Sequence, residues 1–174
     1  MAAPVSNVPP EVNRSSNIKA AVTAAFSAAA QTYDADADVQ RDAAQGVARR
    51  IAALPLPAQP RVLEIGCGTG FLSTALHAMQ TAELVLSDIS ETMLDRSRQR
   101  LGETSARFMV LDGEEPEAAG NGFDVICSSF AFQWFNDLEG TLQRLSAMLA
   151  PAATLSSQPW ARKASMNGAK PMQN

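Results

Sequence analysis

The sequence is poor in residues that carry metal-dependent or nucleophilic chemistry. Its 174 residues include one histidine, His77, and no GxSxG segment. A zinc site with two histidine ligands is therefore excluded, and a Ser-His-Asp triad would depend on His77 alone, inside a predicted helix. We expect His77 to be a helix-surface side chain and predict no metal site.

Cysteine is also scarce. Cys67 and Cys127 are the two cysteines of the chain, and each belongs to an apolar segment typical of a strand or its end. A disulfide framework would need more cysteines, placed in loops. We interpret both as free thiols of a cytoplasmic protein, because the cytosol is reducing.

Long hydrophobic runs and excess positive charge are absent too. No stretch approaches the roughly 20 apolar residues of a membrane span. The amino terminus has no basic segment followed by an apolar run, so we expect no secretory signal. The formal net charge is -4, which gives no general attraction to nucleic acid or to anionic membranes. We predict neither as a partner.

Composition and periodicity divide the chain into four parts. Residues 1–16 are rich in Pro, Ser and Asn and are expected to be a disordered lead-in. Residues 17–54 are predicted to form a helical cap of two helices, the second from about Val39 to Leu54, ended by the prolines of LPLPAQP. Residues 61–157 form the predicted ligand-binding domain, and residues 158–174 an irregular tail.

Within 61–157, short apolar runs alternate with helical patterns. The predicted strands are Arg61–Ile65, Glu83–Leu86, Arg107–Leu111, Phe123–Ser128 and Ala153–Ser156, and the predicted helices are Phe71–Met79, Glu91–Leu101 and Leu138–Leu149. Such alternation predicts an α/β fold, a Rossmann-like parallel sheet covered on both faces.

A glycine loop is the central motif. Gly66, Gly68 and Gly70 lie in the run Glu64-Ile65-Gly66-Cys67-Gly68-Thr69-Gly70, which follows a strand and opens a helix. In that context a glycine loop predicts a ligand site, because its amides and the helix N-terminus face the ligand. A structural turn is the alternative.

The spacing disfavours a nicotinamide-dependent reductase, which would use GxGxxG. Here the third glycine comes one position early, and Phe71 stands where it belongs. Glu64, just before the loop, suits a ligand with a cationic amino-acid head better than one with a dianionic pyrophosphate.

Acidic residues close the next two strands. Asp88 is placed to accept both ribose hydroxyls of a nucleoside, and Asp112 to accept from an adenine amino group. Helix caps are the alternative for each. Other predicted contacts at the same carboxyl edge are Ile89 and Met93 against the adenine, Gly113 in the turn after Asp112, and Ser128 and Ser129.

These segments resemble class I S-adenosylmethionine (SAM)-dependent methyltransferases. VLEIGCGTG is similar to their first motif, SDIS to the ribose-binding turn, LDGEEP to the adenine-binding turn, and FDVICSSFAFQWFND to the fourth-strand motif. The resemblance covers roughly residues 61–150 and implies SAM as the cofactor.

A narrower resemblance involves the cap. AAFSAAAQTYDADADVQRDAA and the AFQW segment resemble the malonyl-carrier-protein O-methyltransferases of biotin synthesis. This implies methyl transfer to the free carboxylate of a malonyl thioester, on a carrier protein or on coenzyme A. Tyr33, Gln133 and Trp134 are the implied acceptor-side residues; a helix-end core role for Tyr33, and core or rim packing for Trp134, are the alternatives.

The carboxyl-terminal part departs from that family, which has two more strands. We expect this chain to lack them, with Pro151-Ala152-Ala153 as an altered turn before the fifth strand, and to be weakly active or inactive alone. Self-association through an open sheet edge is then possible. The alternatives are a methyltransferase for another small molecule and a non-catalytic SAM-binding remnant or interaction partner.

Overall fold

The computed structural model describes residues 19–21, 23–28 and 37–156, the last five of these by their backbone alone. Its helices are α1 (residues 19–28, residue 22 apart), α2 (Asp38–Ala52), α3 (Phe71–His77), α4 (Glu91–Leu101) and α5 (Leu138–Ala147), and its strands are β1 (Arg61–Ile65), β2 (Glu83–Asp88), β3 (Arg107–Val110), β4 (Phe123–Ser128) and β5 (Leu149–Ser156). Short 3₁₀ turns lie at Pro116–Ala119 and Phe132–Trp134.

The five strands form one parallel sheet in the order β3-β2-β1-β4-β5. This confirms the predicted Rossmann-like α/β fold. The strand order reverses between β1 and β4, and open α/β sheets bind ligands at the carboxyl ends of the strands beside such a reversal. The topology therefore directs attention to the ends of β1 and β4.

Alternate residues of the central strands contribute to two hydrophobic cores, one on each face of the sheet. Val62, paired with Leu84 and Val125, contributes to the core that α2, α3 and α4 cover. Leu63, paired with Val85 and Ile126, contributes to the core that α5 covers. Both faces of the sheet are thus covered, which explains why these strands are continuous apolar runs rather than alternating ones.

Helix α4 coincides with its predicted range. Its N-cap is Ser90, whose Oγ accepts a hydrogen bond from the Met93 N–H at 3.3 Å, so Asp88 does not cap this helix. Met93, Leu94 and Ser97 form its buried face. A side-chain cap and a clear apolar face are the signals that make a helix predictable from sequence.

The fifth strand requires a correction. It begins at Leu149, not Ala153, and Pro151-Ala152-Ala153 lies within it instead of preceding it. The register changes from Phe123↔Leu149 to Val125↔Thr154, so the strand bulges across this segment. Proline is tolerated there because β5 lies at an edge of the described sheet.

Other predictions can be checked directly. Cys67 and Cys127 are buried free cysteines, and His77 lies exposed on α3, as expected. No helix in the described ranges is long and apolar enough to cross a membrane. Tyr33, the lead-in 1–16 and the tail 158–174 lie outside the described residues.

Candidate active site at the carboxyl edge of the sheet

A cavity of about 340 Å³ opens at the carboxyl ends of β1 to β4, beneath α1 and α2. Its volume lies in the range usual for cofactor sites, roughly 300–1,000 Å³. Most of the predicted site residues line it: Glu64, Gly66, Cys67, Gly68, Asp88, Ile89, Met93, Asp112, Gly113, Ser129, Gln133 and Trp134. Gly70 and Ser128, also predicted, are not among the lining residues.

The glycines of the loop have distinct roles. Gly66, Gly68 and Gly70 all have positive φ, at 67°, 55° and 92°, a region that other residues adopt only with strain. A methyl group on Gly66 would overlap that of Ala131, in the loop after β4. At Gly70 it would lie 2.7 Å from the Ser97 Oγ, so Gly70 allows α4 to approach the loop rather than lining the cavity.

Asp88 holds the glycine loop against β2. Its Oδ2 accepts the Gly68 N–H and its Oδ1 accepts the Ser90 N–H, both at 2.9 Å. Burial raises the pKa of this carboxyl above its ordinary value, and these backbone N–H groups partly offset that effect. Each oxygen retains a lone pair that can face the cavity, as contact with a ribose would require.

Glu64 is a buried carboxyl at the end of β1, with 1% of its surface exposed. Its Oε2 accepts a hydrogen bond from the Ser73 hydroxyl of α3 at 2.7 Å. The pKa of Glu64 is raised to about 8, mainly by burial. The charge of Asp88 also raises this pKa, and the hydrogen bond from Ser73 partly lowers it. The carboxyl is therefore mostly protonated at neutral pH until a cation enters the cavity.

Asp112, after β3, has a partner that the sequence did not suggest. The Nζ of Lys19 on α1 lies 2.5 Å from the Asp112 Oδ2 and 2.9 Å from the Glu114 Oε2. The Asp112 Oδ1 accepts the Glu114 N–H at 3.0 Å. The turn after β3 thus carries two carboxylates and one ammonium group at the wall of the cavity.

The loop after β4 forms the opposite rim. Phe130 has φ 69°, and among the described residues it alone has positive φ without being glycine. Such strain is often found at functional sites. Trp134 is 48% exposed and contacts Phe26 of α1 edge-to-face, with ring centroids 5.6 Å apart. Gln133 is exposed beside it, so both predicted acceptor-side residues stand at the mouth.

Two buried polar atoms in this region lack a hydrogen-bond partner. One is the Oε1 of Gln40, which lines the cavity from α2, and the other is the Oγ of Ser128, at the end of β4. Of the two residues, Gln40 alone lines the cavity, and a buried acceptor without a donor is costly, which favours a ligand that supplies a donor to its Oε1. Gln40, Lys19 and Glu114 were not predicted, and the unpaired amide oxygen of Gln40 could be found only in the structure.

The charges on the wall restrict the ligand. Four carboxyl groups line the cavity, those of Glu64, Asp88, Asp112 and Glu114, and Lys19 supplies the one ammonium group among the described lining residues. A pyrophosphate would be repelled, whereas a ligand with cationic groups would be attracted. Cys67 also lines the cavity, but burial raises the pKa of its thiol, so it is not a ready nucleophile.

Comparison with known proteins identifies relatives of this chain. A family model described as methyltransferase domain matches residues 62–152. The chain is 49% identical over 131 residues to the biotin biosynthesis bifunctional protein BioCD of Bordetella avium, covering 75% of this chain and 28% of that protein. It is 46% identical over 125 residues to a malonyl-[acyl-carrier protein] O-methyltransferase of Magnetococcus marinus, covering 69% of this chain and 45% of the relative. The chain therefore spans less than half of these curated relatives.

Solved structures agree on the fold. SAM-bound CalS10, an amino pentose methyltransferase of Micromonospora echinaspora, superposes with a TM-score of 0.60 at 28% identity, over 75% of this chain and 55% of CalS10. A putative methyltransferase in complex with the Haloferax volcanii Trm112 activator gives a TM-score of 0.67 at 22% identity, over 76% of this chain and 58% of that one. The second likeness bears on the fold alone.

The raised pKa of Glu64 gives a testable pH dependence. The folded chain holds this proton up to about pH 8, but an unfolded glutamate loses it near 4.5. The folded state therefore binds more protons between these values, and the free energy of unfolding should fall as pH rises through this window, by about 1 kcal/mol per pH unit. Urea denaturation of the wild type and Glu64→Gln across pH 5 to 9 measures it. Parallel curves for the two proteins would contradict this assignment.

Proposed function

The chain belongs to the methyltransferase-domain family, and on this premise we propose that its cavity binds SAM and places the methyl group for transfer to a carboxylate of a malonyl thioester. The observation that carries the proposal is the set of carboxyl groups at the ends of β1, β2 and β3 around a glycine loop. Open α/β sheets bind nucleosides at this same edge.

The described residues fit SAM group by group. Glu64 is the partner for the ammonium of the methionine part, and the unpaired Oε1 of Gln40 is a second acceptor for that head. Asp88 is the partner for the ribose hydroxyls, with Ile89 and the buried Met93 beside the adenine. Asp112 is the acceptor for the adenine amino group, next to Gly113. These roles are our proposal for the predicted site residues.

Methyl transfer to a carboxylate requires little chemistry from the protein itself. Bound SAM supplies a methyl group on a positively charged sulfur, and a carboxylate acceptor is already a nucleophile. The residues of the cavity therefore have to bind, orient and exclude water, and no general base is required. This fits a chain in which the single histidine lies exposed on α3, outside the cavity lining.

The acceptor enters, in our proposal, past the loop after β4. Trp134 and Gln133 stand exposed at the mouth, where an aromatic face and an amide could contact a thioester and its carboxylate. Gly66 leaves room for this loop to approach the SAM side of the cavity. Tyr33 keeps its predicted acceptor-side role, although it lies outside the described residues.

The thioester proposal rests on the names of the relatives in biotin synthesis and on the cap sequence. A carrier protein bearing the malonyl group is the proposed partner, and the reducing cytosol the proposed location. Methylation of another small molecule is the alternative, supported by the amino pentose methyltransferase that shares the fold. Self-association through the edge of β5 stays a prediction that sedimentation can test.

The SAM half of the proposal predicts a specific loss. Asp88→Asn removes the charge that meets the ribose hydroxyls and should weaken S-adenosylhomocysteine binding by about 10- to 100-fold, as expected for charged hydrogen bonds of 1.5–3 kcal/mol. Asp124→Asn is the matched control, because Asp124 also accepts a backbone N–H, from Arg61 at 2.8 Å, but at the other end of the sheet. Equal affinities in calorimetry for Asp88→Asn and Asp124→Asn would count against the assigned site.

The acceptor half predicts methyl-ester formation. With radiolabelled SAM, the purified chain, which we expect to be weakly active, should transfer label slowly to malonyl-carrier protein or malonyl-coenzyme A in a form released by mild alkali. Acetyl-coenzyme A, which has no free carboxylate, should stay unlabelled. Trp134→Ala should raise the KM for the acceptor and leave S-adenosylhomocysteine affinity unchanged. If the chain binds S-adenosylhomocysteine and labels another small molecule but neither malonyl thioester, the acceptor is wrong and the SAM site stands.

A further inference from the structure

Lys19 joins parts of the chain that are distant in sequence. Its ammonium contacts Asp112 and Glu114, 93 or more residues away, and its side chain is 24% exposed. Asp112 belongs to the proposed nucleoside side of the cavity. Glu114 is buried, with 5% of its surface exposed. One cation therefore pairs with two carboxylates at the wall of the cavity.

Glu114 also connects the Lys19 ion pair to the acceptor side of the cavity. Its Oε1 accepts the Asp137 N–H at 2.7 Å, and its Oε2 accepts the Asn136 side-chain amide at 3.2 Å. Its backbone oxygen accepts the Arg144 Nε at 2.9 Å. Glu114 thus fixes the end of the loop that carries Gln133 and Trp134.

Helix α1 has two further contacts around the cavity. The ring of Phe26 packs edge-to-face on Trp134, and the hydroxyls of Ser27 and Ser90 lie 2.8 Å apart. Together with Lys19, these place α1 against the turn after β3, the N-terminus of α4 and the loop after β4. Lys19 supplies the one charged contact among the three.

We propose that Lys19 is a positioning residue that holds α1 closed over the cavity and joins the cofactor side, through Asp112, to the acceptor side, through Glu114. This inference rests on the proposed SAM site. Lys19 and Phe26 of α1 line the cavity, so opening of α1 should ease the exit of a bound nucleoside, and opening requires Lys19 to leave both carboxylates. Lys19 should therefore slow ligand release.

The experiment uses Trp134 as the reporter of closure. The chain has two tryptophans, and Trp160→Phe leaves Trp134 alone. In this background Lys19→Met should increase the quenching of Trp134 by acrylamide, because Phe26 no longer covers its ring. It should also speed S-adenosylhomocysteine dissociation by about 3- to 10-fold, the equivalent of roughly 1 kcal/mol. Lys19→Arg, which keeps the charge, should return both the quenching of Trp134 and the dissociation rate most of the way to the values of the parent protein.

Two comparisons separate this role from a general loss of charge. Arg98→Met is the matched control, because Arg98 also pairs with two carboxylates, Glu91 and Asp95, but on the surface of α4 outside the cavity. Arg98→Met should change neither the quenching of Trp134 nor the dissociation rate of S-adenosylhomocysteine. In a double-mutant cycle, Lys19→Met should have a smaller effect in the Glu114→Gln background than in the parent, because Glu114→Gln keeps the acceptor for Asp137 but removes one of the two charges that Lys19 contacts.

The outcomes are distinct. Increased quenching and faster dissociation in Lys19→Met, without either in Arg98→Met, support the proposal. Unchanged quenching and dissociation in a folded Lys19→Met protein, or equal changes in Arg98→Met, overturn it. If the parent protein binds no S-adenosylhomocysteine, the proposed function fails, but quenching of the ligand-free variants still decides whether Lys19 closes α1.

Discussion

The buried carboxyl of Glu64 is the constraint around which the rest of the site is arranged. A carboxyl group at 1% exposure is costly to ionise, and among the described residues the hydroxyl of Ser73 donates a hydrogen bond to it. Such a group is tolerable in the empty chain because it holds its proton, with a pKa of about 8. In our proposal it becomes an anion when the ammonium group of SAM enters, which would suit the site to a charged amino-acid head rather than to a phosphate.

The other features of the cavity follow from bringing that carboxyl to the edge of the sheet. β1 ends at Ile65, and the loop must turn at once into α3, which left-handed glycines permit. β2 lies beside β1 in register, so Asp88 comes close enough to hold the Gly68 N–H. The loop after β4 approaches from the other side because Gly66 has no side chain.

Sequence alone predicted the sheet, the central helices and half of the residues of the cavity wall, because their signals are local. The apolar runs, the glycine loop after β1 and the acids at the end of β2 and just beyond β3 can each be recognised within a few residues. The start of β5 was missed because Leu149 to Ala153 lacks a strand pattern. Lys19 and Gln40 were missed because their roles come from packing: Lys19 meets Asp112 across 93 residues, and nothing near Gln40 in sequence marks it as unpaired.

Proton release on ligand binding tests the central claim most directly. Calorimetric titration of S-adenosylhomocysteine at pH 7, in buffers of different ionisation enthalpy, counts the protons exchanged. Because the ligand ammonium should lower the pKa of Glu64 from about 8, the wild type should release nearly one proton per ligand and Glu64→Gln none. Binding without proton release in the wild type, or the same release from Glu64→Gln, would contradict the account.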